Sequence, residues 1–378
     1  MTATASTDST VNALIQRRIR QDVQSMHAYN VQDSKGMVKL DAMENPHRLP
    51  ADLQEALGKR LGALALNRYP DGRVNELRQA LATYAGMPEG FDIMLGNGSD
   101  ELISLLAMAC DVPVAPGQPK PAILAPLPGF VMYAMSAQLQ GLDFVGVPLT
   151  ADFALDVPAM VQAITEKQPA IVYLAYPNNP TANLWDDTAI ANIIALQGGQ
   201  GGLVVMDEAY QPFSSRTWLT RMREAPQRHG HVLLMRTLSK FGLAGVRIGY
   251  LVGQAALVAE VNKLRPPYNI SSLNAECALF ALEHGEVFRA QALDISAQRA
   301  IILRAFSAMP GVRAWRSDAN MVLVRVPDSA RAFEGMKASG VLVKNVAKLH
   351  PLLANCLRVT VGTAEENVQM LAALAKSL

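Results

Sequence analysis

The 378-residue chain reads as an α/β protein with a large domain, whose mostly parallel sheet is covered by helices on both faces, and a smaller α+β domain. Three observations predict this. From about residue 70, short and almost continuous apolar runs alternate with stretches of helical periodicity, as strands buried on both faces do. Those runs, "FDIML", "AIVYLAY", "GLVVMDE", "HVLLMRT" and "RIGYLVG", are spaced by helical stretches such as "DELISLLAMAC" and "DDTAIANIIALQ". From about residue 271 the texture changes to long helical stretches followed by "NMVLVRV", "VLVKNV", "CLRVTVG" and a last helix, "EENVQMLAALAKSL".

Taken in order, the elements divide the chain into an N-terminal arm with part of the small domain (1–66), a large domain (67–285) and a small C-terminal domain (286–378). In the arm, Val11, Leu14, Ile15, Ile19, Val23 and Met26 recur at helical spacing and predict an amphipathic helix. Formal net charge is +1 and basic residues are scattered, which speaks against nucleic acid or a membrane surface as partner. No apolar run approaches the roughly 18 residues of a membrane span. The polar start "MTATASTDST" lacks the apolar core of a secretory signal. "LIQRRIRQ" has the basic character of a transit peptide, but Asp8 and Asp22 weigh against one, so a cytoplasmic location is expected. Cys110, Cys277 and Cys356 are odd in number and widely spaced, which suits a reducing compartment. The histidines show no metal-ligand spacing, and no metal site is expected.

Ligands of parallel sheets bind at the carboxyl ends of the strands, and the polar residues there are the candidates for chemistry. Lys240 follows "HVLLMRT", with Thr237, Ser239, Gly242, Gly245 and Arg247 about it. Apolar surroundings and a nearby arginine favour its neutral, nucleophilic form; a lysine reaching the surface from a strand end would look the same. Asp207 ends "VVMD", three residues before Tyr210. A carboxylate there can keep a ring nitrogen protonated, or merely cap the next turn. In "AYPNNPTAN", Pro177 and Pro180 flank Asn178 and Asn179, as in a rigid donor loop or an ordinary turn. "LGNGSDEL" gives a tight turn and then a helix whose first N–H groups, at Ser99 and Asp100, suit an anion. It lacks the third glycine of a dinucleotide fingerprint and the Gly-Lys-Ser/Thr of a P-loop. Phe130 can stack on a flat ring or pack in the core. Arg358, alone in an apolar strand, is costly there unless paired.

The succession "RYPDG", "GNGSDE", "PLPGF", "YPNNPT", "DEAY", "TLSK…R" and "LRVTVG" resembles the pyridoxal-phosphate aminotransferases of the aspartate aminotransferase fold, from "LDAMENP" to "LRVTVGT". Within that group the chain looks most like the branch that exchanges an amino group between histidinol phosphate and 2-oxoglutarate, with glutamate as product, in histidine biosynthesis. The resemblance implies the cofactor pyridoxal 5'-phosphate and a homodimer with shared active sites. It gives Lys240 the covalent bond to the cofactor aldehyde and the later proton transfer, Asp207 the ring nitrogen, and Asn179 and Tyr210 the phenolic oxygen. Phe130 stacks on the ring. The phosphate falls to Ser99, Asp100, Thr237, Ser239 and Arg247, with Tyr69 reaching the neighbouring subunit's cofactor. Arg358, Tyr29, Asn45 and Lys344 fall in the substrate pocket. Relatives often carry arginine at Lys344, asparagine at Met43 and glycine at Ala182. Aromatic amino acid transamination on the same fold is the alternative, followed by decarboxylation of a phosphorylated amino acid and a non-catalytic regulatory protein. A nicotinamide-dependent oxidoreductase is disfavoured by the missing glycine.

Overall fold

The computed structural model describes residues 4–26, 32–70, 72–113, 117 and 120–378. It separates into two compact units, one ending at Lys35 and one running from Gly36 to Leu378. In the first, the helix Thr4–Arg18 is followed by a short turn of helix, Gln21–Gln24. Arg20 breaks the expected continuous helix with extended backbone (ψ 137°) and pairs with Asp22 at 2.6 Å. The apolar positions Val11, Leu14, Ile15, Ile19 and Val23 are all exposed.

The second unit opens with β1 (Val38–Lys39). Its main sheet follows from β2 (Phe91–Asn97), β3 (Ala122–Leu127), β4 (Asp143–Pro148), β5 (Ile171–Ala175), β6 (Leu203–Asp207), β7 (Val232–Thr237) and β8 (Ile248–Gln254). The spatial order is β2-β8-β7-β6-β5-β3-β4. Only β8 runs against its neighbours; every other pairing is parallel. β3 and β4 escape the sequence pattern because each carries a proline and β4, on the sheet edge, is half exposed instead of continuously apolar.

Alternation along the strands sends neighbours to opposite faces. Val204, Met206, Val232 and Leu234 enter one core with Leu77, Leu81, Ile164 and Ile190 from helices on that side. Val205, Leu233, Met235 and Tyr173 enter the other, against the helices that carry Leu102, Leu106 and Tyr133. Burying both faces is what makes these strands read as unbroken apolar runs.

The smaller sheet uses β9 (Arg313–Ala314), β10 (Met321–Arg325), β12 (Lys344–Asn345) and β13 (Cys356–Thr360), with β11 (Val341–Leu342) preceding β12 in the chain. Its order is β12-β13-β10-β9, all antiparallel, whereas β11 pairs in parallel with β1. "VLVKNV" is therefore two short strands and not one. The helix Gly285–Ser307 contributes Phe288 to the first core and Ile295, Ile302 and Phe306 to the core beneath the small sheet. The last helix, Ala364–Ser377, starts on a reciprocal cap between Thr363 and Glu366, an arrangement worth about 1 kcal/mol.

The β1 pairing also fixes the stretch that follows it. Leu40 N–H donates to Leu342 O (2.7 Å), Met43 N–H to Thr360 Oγ1 (3.0 Å), and Asn320 Nδ2 to Met43 O (2.9 Å). Residues 40–44 are thereby laid along the open end of the main sheet. Met43 (φ 52°) and Ala182 (φ 62°) both sit in left-handed backbone, which asparagine and glycine adopt with less strain.

Candidate active site

The carboxyl ends of β2, β3, β5, β6 and β7 open on one cavity of about 350 Å³. Ser99, Asp100, Phe130, Asn179, Asp207, Tyr210, Thr237, Ser239, Lys240 and Arg247 all line it, so ten residues singled out in the sequence meet in one place. Ala42, Met43, Glu44 and Tyr133 line it too, without having been given a role beforehand.

One part of the cavity is built for an anion. Gly98 (φ 79°) turns the chain from β2 into the helix Ser99–Ala109, whose first N–H groups are left open. The turn packs so closely on β8 that a Cβ on Gly249 would lie 2.6 Å from the Gly98 carbonyl carbon and 2.7 Å from the Ser99 nitrogen. Thr237 Oγ1 donates to Ser239 Oγ at 2.9 Å, and Arg247 Nη1 donates to the same hydroxyl at 3.3 Å. The other arm of Arg247 lies 3.6 Å from Asp100 Oδ2, a loose pair on a half-exposed side chain. Hydroxyls, a guanidinium and a helix start, converging with so little mutual neutralisation, suit a phosphate.

Asp207 ends β6 at only 5% exposure. Its Oδ1 accepts the Ala209 N–H (3.0 Å), so it does cap the following turn, while Oδ2 accepts the Tyr133 hydroxyl at 2.6 Å. Burial pushes this carboxyl up to about 6 despite those two donors. Each oxygen keeps acceptor capacity for one more donor facing the cavity.

Lys240 follows β7 on a coil (Ser239–Leu243) that Gly242 permits at φ 137°. A Cβ there would come within 2.9 Å of Phe288 and 3.0 Å of Asn45. Its Nζ donates to the Ala42 carbonyl at 3.1 Å and stands 5.9 Å from the Tyr210 ring centre. Burial, then the Arg358 charge, bring the amine down to about 8, with Arg247 adding to the effect. A buried amine beside two guanidinium groups is a nucleophile near neutral pH. Tyr210 itself is buried, and burial holds its phenol well above the ordinary range.

Arg358, Lys344, Asn45 and Tyr69 lie outside the lining. Arg358, on β13, donates to Asn179 Oδ1 (2.8 Å) and to Asp41 O (2.9 Å), tying the small sheet to the cavity wall. Lys344 sits opposite Arg358 in the β12–β13 register. Asn45 donates to Gln291 Oε1 (2.9 Å). Tyr69 is 76% exposed and stacks on Tyr268 at 4.5 Å. Tyr29 lies outside the described residues. Sequence reasoning passed over Tyr133 and Ala42. Tyr133 lies three residues beyond "PLPGF" and has the apolar helix neighbours of an ordinary core tyrosine, and Ala42 acts through a main-chain carbonyl that no side-chain pattern marks. Among the described residues no cluster of histidine, cysteine and carboxylate side chains is placed to hold a metal, and no helix is long and apolar enough to cross a membrane.

Known proteins resemble this chain over nearly its whole length. The family "Aminotransferase class I and II" matches residues 35–374. Histidinol-phosphate aminotransferase of Polaromonas naphthalenivorans is 71% identical over 98% of this chain and 99% of its own length. That of Paracidovorax citrulli is 67% identical over 96% and 97%. Among solved structures, histidinol-phosphate aminotransferase from Sinorhizobium meliloti in complex with pyridoxal-5'-phosphate superposes with TM-score 0.80 at 23% identity, covering 95% of this chain and 97% of that one. Aspartate aminotransferase of Thermus thermophilus, as a double mutant, gives 0.76 at 23% identity, over 95% and 99%.

Proposed function

Because the chain belongs to the class I and II aminotransferases, we propose that it transfers an amino group between histidinol phosphate and 2-oxoglutarate, a step of histidine biosynthesis, using pyridoxal phosphate. The observation that carries this reading is the convergence, in one cavity, of an amine brought down to about 8, a buried carboxylate and an anion cradle. These are the three handles that a phosphorylated pyridine aldehyde presents, and the residues present fit that group. Bound there, pyridoxal phosphate supplies an electron sink that makes proton loss from an amine-bearing carbon feasible.

The protein's part is binding, orientation and proton movement. Ser99 and Asp100 through their N–H groups, with Thr237, Ser239 and Arg247, hold the phosphate. Asp207 would hold the ring nitrogen's proton, Asn179 and Tyr210 would hold the phenolic oxygen, and Phe130 would pack against the ring. Lys240 anchors the cofactor and then carries the proton on Nζ, a task for which a mobile primary amine suits and a guanidinium does not. Arg358 orients the anionic end of the substrate, and its tie to Asn179 couples that grip to the cavity wall. Asn45 and Lys344 complete the substrate side. Met43 and Glu44, between Asn45 and the Lys240 contact at Ala42, bring that segment to the cavity. The protein acts as a cytoplasmic homodimer, in which the exposed Tyr69 reaches the neighbouring phosphate. Residues 67–285 form the cofactor domain, with 1–66 and 286–378 supplying the arm and small domain.

Steady-state assays with histidinol phosphate and phenylalanine side by side test the substrate. A preference of at least two orders of magnitude for histidinol phosphate is expected, and a preference for phenylalanine overturns the reading in favour of aromatic transamination. Lys240→Ala should abolish turnover yet still bind pyridoxamine phosphate, because the phosphate and ring contacts remain; retained turnover would refute the role of Lys240.

A further inference from the structure

The Tyr133 hydroxyl reaches Asp207 Oδ2 at 2.6 Å from the helix Val131–Gln140, on the opposite side of the carboxylate from the Ala209 N–H. Tyr133 is 2% exposed, and its ring lies flat on Tyr173, with centroids 4.2 Å apart and planes 11° apart. Phe130, one turn earlier on the same segment, meets the Tyr133 ring edge-on at 5.6 Å. The phenol therefore has one place to be, and it points at the one carboxylate that the reaction needs charged. We propose that Tyr133 is a positioning residue: its hydroxyl, locked by Tyr173 and Phe130, holds Asp207 in its charged form facing the cavity and so sets how tightly the protein grips a protonated pyridine ring.

The surroundings leave Tyr133 in charge of this. The other charges that bear on Asp207 are those of Asp100 and Glu208, while the buried phenols Tyr173 and Tyr210 stay neutral, their protons held in part by Asp207 itself. Asp100 and Glu208 oppose ionisation of Asp207. Glu208 itself accepts from Arg236 at 2.8 Å and from the Trp218 N–H, which fixes it as a structural carboxylate that offers Asp207 only its negative charge. Lys240 and Arg247 line the same cavity but neither is a hydrogen-bond partner of Asp207. Two donors thus stand against burial. The Ala209 N–H is part of the backbone and invariant to side-chain change, so the Tyr133 hydroxyl is the adjustable one. Burial and Asp207 together hold its phenol far above the ordinary range, so it donates at every pH the protein meets.

Tyr173 provides a built-in control. It is equally buried and stacked in the same pair, but its hydroxyl has no hydrogen-bond partner among the described residues. Removing that hydroxyl perturbs the same packing without touching Asp207.

The inference rests on the reading that Asp207 meets the ring nitrogen, and the test separates the two. Pyridoxamine phosphate, which forms no bond to Lys240, is titrated into apoprotein between pH 5.5 and 8.5 and followed by tryptophan fluorescence. Tyr133→Phe should weaken binding about tenfold at neutral pH, the scale of one lost hydrogen bond to a buried charge. The pH below which affinity falls should also rise by about one unit. Tyr173→Phe should match the parent, and Tyr133→His, which returns a ring N–H, should recover part of the loss. If Tyr133→Phe binds like the parent while Asp207→Ala does not, or if both phenylalanine variants weaken binding equally, the positioning role is wrong. If Asp207→Ala also binds like the parent, the underlying assignment of Asp207 falls instead.

Discussion

The acidity of Lys240 can be tested without any substrate. Burial and the neighbouring guanidinium groups bring the amine from an ordinary 10.5 to about 8. At pH 7 that leaves about one amine in ten uncharged, against about one in three thousand for a free lysine, a gain of roughly 300-fold. Only the uncharged amine attacks an aldehyde, so attachment of pyridoxal phosphate to apoprotein should speed up through pH 8 and level off above it. Stopped-flow absorbance at fixed ionic strength from pH 6 to 10, with borohydride trapping to confirm the residue, measures this directly. After burial, the positive charge of Arg358 does most to bring the amine down. Arg358→Gln should therefore move the midpoint upward by about one pH unit, toward ordinary lysine. A parent midpoint near 10, or an Arg358→Gln midpoint that stays at 8, would show that the arrangement around Nζ does not set its charge.

Two further outcomes follow from the same geometry. Asp207 ionises at about 6 when folded and near 3.8 when unfolded, so its charge costs the apoprotein stability above about pH 6, and the cost disappears below about pH 4. Asp207→Asn should accordingly stabilise the apoprotein at pH 7.5, by up to about 3 kcal/mol, while cofactor retention is lost. A lower melting temperature in that variant would contradict the buried-charge account. Gly249→Ala would place a methyl 2.6 Å from the Gly98 carbonyl carbon, a backbone atom that cannot swing aside. It should cost about 1–3 kcal/mol in denaturant unfolding and weaken retention of pyridoxal phosphate, and unchanged values of both would mean the turn is not held where described.

The sequence was informative wherever a physical requirement acts on residue type. Continuous apolar runs announced β5, β6, β7 and β8 because strands covered on both faces have no solvent side to make polar. Gly98 announced the anion turn because a positive φ favours glycine. Strand ends marked by Asp207 and Lys240 announced the site, since parallel strands deliver their carboxyl ends to one edge. β3 and β4 stayed hidden behind prolines and a half-exposed edge. The expected N-terminal helix is interrupted at Arg20, and periodicity alone did not mark that break.

What the order of residues determined by itself was the candidate set for the cofactor, because its members are polar side chains and turn N–H groups at or just beyond the strand ends. What only the tertiary structure decided was their electrostatic state. The amine near 8 and the carboxyl near 6 depend on burial and on partners distant in sequence, Arg358 for the amine and Tyr133 for the carboxyl. Desolvation and Coulomb interaction act through space, so a group's charge is written in which segments fold against it and not in its own neighbours along the chain.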